Sequence, residues 1–166
     1  MLEIEIPVAE LKQVLPGLNK VIQKSSLAVL GCVKATVENG EVKLQATNLE
    51  DTATVNMGRC GAGSGSMLVP YEELNKVVKG CAATDTIRLA ARTKETTINY
   101  PIGVTRVERK LSFMDPKEWP ETTVLINEPS IPVTEIIKET LVQALDCSSD
   151  DSSRFVLQSA FLDSRP

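Results

Sequence analysis

The residue types that carry most protein chemistry are scarce in this sequence. It has no histidine, and its four cysteines, Cys32, Cys60, Cys81 and Cys147, are scattered with no C-x-x-C among them. Without histidine the usual general base is missing, and without clustered thiols no zinc set assembles. Cys60 stands beside Arg59, whose charge favours a thiolate, but no base lies near it in sequence to make it a nucleophile. The glycine-rich run "GRCGAGSGS" (58–66) lacks the Lys-Ser/Thr that completes a phosphate loop and reads as a flexible connection. Asp150-Asp151 offers carboxylates without further oxygen ligands, so a solvated loop accounts for it. No G-x-S-x-G or H-E-x-x-H motif occurs. The reading is of a protein that is not an enzyme, with no catalytic residue, metal or cofactor.

The elements then have to explain themselves without a reaction to serve. At 166 residues the chain holds one full domain and part of another. Its 42% hydrophobic content supports a core, and 4% aromatics make that core aliphatic. A net charge of −4 argues against a generally basic nucleic-acid binder, while leaving room for one local basic surface. Four unpaired thiols suit a reducing cytoplasm. No apolar run is long enough to span a membrane, and "MLEIEIPVAE" is too acidic and alternating for a signal peptide.

Residues 31 to 55 are the most legible stretch. Asn39-Gly40 is a strong two-residue hairpin signal, because both turn positions require φ > 0. That loop fixes the register: Val37 faces Val42, Ala35 faces Leu44 and Val33 faces Ala46, with Thr36–Lys43 and Lys34–Gln45 on the other side. One face is apolar and the other wet, which calls for a layer on one side only. Before the hairpin, "LEIEIP" alternates as a strand, and Leu11, Val14, Leu15, Leu18, Val21 and Ile22 fall at helical spacing. Pro16-Gly17 predicts a bend or break after Leu15. "DTATVNM" is a third strand.

The order then recurs. "SMLV" is strand-like, Pro70 suits a first helical position and Gly80 the residue after the helix, with Tyr71, Leu74, Val77 and Val78 as the stripe between. Three more strands follow in "DTIRLAAR", "ETTINYP" and "VTRVERKL". The prediction is an α+β fold: a duplicated βαβββ unit with two helices on one face of an antiparallel sheet. "FMDPKEWPET" is a linker in which Trp119 is expected to anchor between domains. Beyond it the order begins a third time: a strand in "TVLINEP", a helical stripe of Val133, Ile136, Ile137, Leu141, Ala144 and Leu145, and a strand in "RFVLQSAFLD". A βαβ fragment cannot cover its own edge, so the chain reads as the front of a longer protein. The expected domains are 1–120 and an incomplete one over 121–166.

This succession resembles the bacterial sliding clamp, the beta subunit of DNA polymerase III. The likeness is closest in "IPVAELKQVL", "LAVLGCVKATVENGEVKLQATNLEDTATV", "MLVPYEELNKVVKG" and the linker ending "EWP", and continues in "VTEIIKETLVQAL" and "RFVLQSAFLD". Ala28 stands where the family has proline and Asn48 where it has aspartate, while Thr47, Leu49 and Glu50 fit its turn. The resemblance implies a clamp domain I, the start of a domain II, and a subunit that tethers replicative polymerase to duplex DNA without sequence specificity. It implies double-stranded DNA, DNA polymerase III and a clamp loader as partners, a head-to-tail homodimer ring in the full-length protein, and a cytoplasmic location. In such a ring the duplex is held by topology, so contacts can be weak and directed at phosphates.

The resemblance also implies which residues face DNA: Lys12, Lys20 and Lys24, then Lys76 and Lys79, then Lys138, with Arg154 and Phe155 opening the last strand. Charge tempers this. Residues 8–24 have a net charge of +2, residues 70–80 zero, because Glu72 and Glu73 offset the lysines, and residues 133–146 carry −2. The first helix and its following loop should therefore dominate. Leu157 matches one position of the family's partner-peptide groove, whose other residues would lie past Pro166. The charged strand "VTRVERKL" fits the ring-closing edge, and a chain of this length is not expected to encircle DNA alone. Two other readings stay open: a clamp-like interaction module that binds clamp or polymerase partners without encircling DNA, and a small enzyme on an unfamiliar β-rich scaffold.

Overall fold

The hairpin forms as its turn chemistry dictates. In a computed structural model of the chain, which describes residues 2–22, 27–121, 132–149 and 155–160, Asn39 and Gly40 adopt φ of 54° and 82°. They join β2 (Cys32–Glu38) to β3 (Glu41–Thr47) in the predicted register, with Ala35 opposite Leu44 and Val37 opposite Val42. Adjoining β3 is β4 (Thr52–Arg59), with a bulge beside Val42 and Lys43.

Two antiparallel sheets replace the single one expected. The first runs β4-β3-β2-β6, and the second β5-β1-β7-β8-β9. Their members are β1 (Leu2–Pro7), β5 (Gly61–Ala62), β6 (Gly65–Pro70), β7 (Thr86–Arg92), β8 (Glu95–Ile102) and β9 (Thr105–Leu111). The first strand of each repeat has crossed over. Ile4 and Ile6 of β1 lie opposite Leu89 and Ile87 of the second repeat, and Val69 of β6 lies opposite Val33 of the first. Each repeat therefore completes the other's sheet.

The glycine-rich run is not a free loop. Its β5 pairs with β1, placing Gly61 opposite Ile4, while Glu5 N–H donates to the Cys60 carbonyl at 2.9 Å and Gly61 N–H to the Gly40 carbonyl at 3.1 Å. It stitches the hairpin tip of one sheet to the edge of the other.

The two helices bury one shared face. In α1 (Val8–Asn19) Leu11, Leu15 and Leu18 are buried, and in α2 (Tyr71–Gly80) Tyr71, Leu74, Val77 and Val78. They join one core with Val33, Val42, Leu44, Ile4, Ile87 and Ile98 from both sheets. Of the bend or break expected after Leu15, the break does not occur: α1 runs through Pro16 to Asn19. The lost hydrogen bond and ring clash cost about 3 kcal/mol, but Leu15 and Leu18 are each 1% exposed on either side of it. Burying such side chains is worth about 2 kcal/mol apiece, which holds the last turn in place. The second helix begins at Tyr71, after Pro70, and includes Gly80 as its last residue, a one-residue shift at each end.

The outer face of the first sheet is not uniformly wet either. Cys32 and Leu68, on the side away from the helices, pack with Val29, Met114 and Trp119. Trp119 is 7% exposed and has Lys34 Nζ 5.9 Å from its ring centroid. The segment after β9 thus crosses to the outer face of the first sheet, and Trp119 anchors within the first unit, Met1–Thr123.

The turn after β3 carries strain. Leu49 sits at φ 82° and is 59% exposed. Thr47 and Asn48 hold it there. Thr47 Oγ1 donates to the Asp51 carbonyl at 2.8 Å, and Asn48 Oδ1 accepts from Glu50 N–H and Asp51 N–H at 2.9 and 2.6 Å. A left-handed conformation costs an L-residue about 1–2 kcal/mol. Leu49→Gly is therefore expected to stabilise the fold by about 1 kcal/mol, read as a raised denaturation midpoint with an unchanged m-value.

In the second unit, Val124–Pro166, α3 spans Glu135–Asp146, opened by Thr134, whose Oγ1 accepts from Ile137 N–H at 3.4 Å. The strand predicted over "RFVLQSAFLD" is instead a 3-10 turn at Phe155–Gln158, within the residues described there. Short apolar runs do not distinguish strand from helix by period alone, which is why the pattern misleads there. The strand predicted in "TVLINEP" lies outside the described residues.

Candidate nucleic-acid interface

With their apolar sides buried, α1 and α2 turn a polar surface outward. Lys12, Lys20, Lys76 and Lys79 are all exposed on it. Lys20, Lys76 and Lys79 take part in no ion pair among the described residues. Lys12 is committed differently: its Nζ donates to the Cys81 carbonyl at 2.8 Å, just past the end of α2. That contact ties the two helices together and puts a cation at the negative end of α2. It also holds the charge close to the backbone rather than free to reach outward.

The acidic residues of α2 divide as well. Glu73 is drawn aside by Arg109 of β9, Oε2 to Nη2 at 3.1 Å, and accepts a hydrogen bond from Ser112 Oγ at 3.4 Å. Its charge is neutralised on the flank of the helix. Glu72 remains exposed in the first turn, where an acid complements the helix dipole. Lys76 and Lys79, further along, face less acid than a count along the sequence implies. Arg109 is not among the site residues expected from sequence, yet the alternation of "VTRVERKL" puts it with Val107 and Leu111 on the helix side of the strand.

The remaining predicted residues lie in the second unit or outside the described residues. Lys138 lies on α3 of the second unit and pairs with Glu135 at 2.6 Å. Lys24 and Arg154 lie outside the described residues. Phe155 opens the 3-10 turn, and Leu157, within it, is 49% exposed.

Candidate nucleophiles fare poorly. Burial, with Glu10 adding to it, pushes the Cys60 thiol up rather than down, against the lowering expected from Arg59. Burial pushes Cys32 up to about 12. All four cysteines are free thiols, and among the described residues no group of three or more Cys, Asp or Glu side chains converges on a metal position. No helix among the described residues is long and apolar enough to cross a membrane.

The arrangement has counterparts among solved structures. The chain is similar to the DNA polymerase III subunit beta from Pseudomonas aeruginosa, with a TM-score of 0.73 at 18% identity, covering 93% of this chain and 42% of that one. A sliding clamp from Bartonella birtlesii, solved bound to griselimycin, gives 0.73 at 20%, covering 93% and 41%. The DNA polymerase III beta subunit of Thermotoga maritima gives 0.70 at 20%, covering 92% and 41%. The chain thus has the sliding-clamp-like α+β fold, matching about one clamp domain and part of the next, and spans about two-fifths of the length of the structures it matches. No family model matches the sequence, and no curated protein does.

Proposed function

We propose that this chain is the N-terminal portion of a DNA sliding clamp, a non-enzymatic tether holding replicative polymerase on duplex DNA. One observation carries the reading: α1 and α2 lie with their backs in a single core under both sheets, and Lys20, Lys76 and Lys79 face outward without ion-pair partners among the described residues. On this reading residues 1–120 are clamp domain I and 121–166 the start of domain II. The lysines meet phosphates through water, DNA polymerase III and a clamp loader are the partners, and a full-length homodimer forms the ring in the cytoplasm. Lys24, Lys138, Arg154 and Phe155 belong to the same DNA-facing set, and Leu157 to a partner-peptide groove completed by further chain.

The test is titration of fluorescent duplexes of two unrelated sequences with the chain at several salt concentrations. Non-specific binding of this kind has dissociation constants of roughly 10⁻⁴ to 10⁻⁶ M, and three phosphate contacts give a log–log salt slope of about −2.7. Equal affinity for both duplexes with such a slope is expected. A preference for one sequence, or a salt-insensitive affinity, refutes the tether.

A second reading has its own observation. In α3, Ile136 is 75% exposed and Val142 and Leu145 are 58% and 49% exposed. Apolar side chains left open on this helix favour a clamp-like module that binds clamp or polymerase partners without encircling DNA. Absence of duplex retention by the full-length protein even at low salt supports that module over the tether.

A further inference from the structure

We propose that Met114 is a modification site, an oxidation-sensitive latch whose conversion to the sulfoxide by a peroxide releases Trp119, and the connecting segment with it, from the outer face of the first sheet. This holds whether or not the chain is a clamp.

Residues 112–120 lead from β9 toward the second unit, and little but apolar packing holds them down. Among the described residues no backbone hydrogen bond joins residues 113–120 to either sheet. The bonds they make are internal. Lys117 N–H and Glu118 N–H donate to Asp115 at 3.0 and 2.9 Å, and Trp119 N–H to the Pro116 carbonyl at 3.2 Å. Ser112 Oγ reaches Glu73 only at 3.4 Å. The attachment is a satellite cluster of Val29, Cys32, Leu68 and Trp119, apart from the main core, with Met114 packed against it. Its hydrogen bonding is already incomplete, because the buried Trp119 Nε1 has no acceptor among the described residues. An unpaired buried donor weakens the closed state, and water relieves it once the segment lifts.

Met114 brings to this cluster a sulfur that is both reachable and reactive. Its side chain is half-buried, whereas Cys32 is 1% exposed, and burial pushes the Cys32 thiol up to about 12, leaving almost no thiolate to attack a peroxide. A thioether needs no deprotonation. A lone pair of the Met114 sulfur attacks one oxygen of hydrogen peroxide, the O–O bond breaks and an S–O bond forms. The proton on the transferred oxygen passes to the departing hydroxide, so the sulfur is oxidised by two electrons and the peroxide is reduced to water. The product sets a strong acceptor inside the apolar cluster. Cys32 Sγ donates to Met114 Sδ at 3.5 Å and also faces the Ala28 carbonyl at 3.8 Å, but a thiol is too weak a donor to satisfy the new oxygen. A buried acceptor left unpaired shifts the balance about tenfold or more toward the open segment.

Trp119 is the single tryptophan of the chain, so its fluorescence reads the latch directly. The test treats the full chain with hydrogen peroxide, reverses any thiol oxidation with dithiothreitol, locates sulfoxides by peptide mass mapping, and follows Trp119 emission and its quenching by acrylamide. Sulfoxide is expected at Met114 before Met67, which is 1% exposed, with emission shifting to the red and quenching rising several-fold. A methionine sulfoxide reductase should restore both. Met114→Leu, a volume-conserving change, should keep the unoxidised spectrum and lose the response. Met57 is also half-buried but packs against the main core, so Met57→Leu should leave the response intact. The latch is overturned if Met114 is modified no sooner than Met67, or if its sulfoxide leaves the emission unmoved or shifts it to the blue. It is equally overturned if the response survives Met114→Leu, disappears with Met57→Leu, or stays in place after the reductase has removed the sulfoxide.

Discussion

Replacing Gly61 by alanine is expected to lower the unfolding free energy by about 2 kcal/mol, in the range for inserting one methyl into a packed core. A Cβ at this position would lie 2.7 Å from Val37 Cγ1 and 2.8 Å from Val42 Cγ2. Neither valine can yield cheaply: both are fully buried, and β-branched side chains have few rotamers to choose from. Nor can Gly61 retreat, because its N–H is bonded to the Gly40 carbonyl and its strand to β1. For a unit of this size the loss corresponds to a melting temperature lower by roughly 8 °C. Coupling identifies the cause. Val37→Ala removes one of the two obstructing groups, so the double variant Gly61→Ala/Val37→Ala should be more stable than the sum of the single effects implies, by at least about 0.5 kcal/mol. Strict additivity in calorimetry or urea titration removes the stitch as an explanation.

Gly61 also marks the limit of what the sequence discloses. Local pattern carries the hairpin completely: Asn39-Gly40 sets the turn, and the period-2 alternation sets which face goes inward. It carries both helices, since Leu11, Leu15 and Leu18 or Leu74, Val77 and Val78 repeat at 3.6. It does not carry the exchange of β1 and β6 between sheets, because strand choice depends on residues some eighty positions apart, such as Ile4 and Leu89. Gly-Ala-Gly-Ser-Gly has the composition of a flexible loop, and only the close approach of Val37 and Val42 shows why glycine is needed there. Trp119 is an anchor, as its place in the linker suggests, but its site is Cys32 and Leu68 on the outer face of the first sheet, within the same unit. The like-for-like alternation of "RFVLQSAFLD" suggests a strand with apolar residues on both faces, and Phe155–Gln158 instead winds into a 3-10 turn.

The same distinction bears on the candidate site. Which lysines lie outward on α1 and α2 follows from helical period alone. How much each counts does not, because that depends on partners brought from elsewhere. Lys12 is anchored on the Cys81 carbonyl across the helix pair. Glu73 is neutralised by Arg109, a residue 36 positions further along the chain. Both contacts shift the positive potential from the first helix toward the second half of α2, a balance that summed charges along the sequence conceal.

Reversing Lys76 and Lys79 together to glutamate is accordingly expected to weaken duplex DNA binding about 30-fold at low salt. Removing one lysine–phosphate interaction costs roughly 1 kcal/mol there and takes about 0.9 from the magnitude of the log–log salt slope. The charge count along the sequence assigns α2 no net attraction and expects Lys20→Glu with Lys24→Glu to dominate. With Glu73 held by Arg109, the α2 pair should count no less than the α1 pair. Arg109→Ala sharpens the argument, because it leaves every outward lysine in place. It releases Glu73 and is expected to reduce affinity by a few-fold while leaving far-UV circular dichroism unchanged. Adding Glu73→Gln to Arg109→Ala should then recover that affinity. If the α2 reversal leaves affinity and salt slope where they were while the α1 reversal lowers both, the duplex does not meet the second helix, and the two-helix surface loses its place as the DNA-facing one.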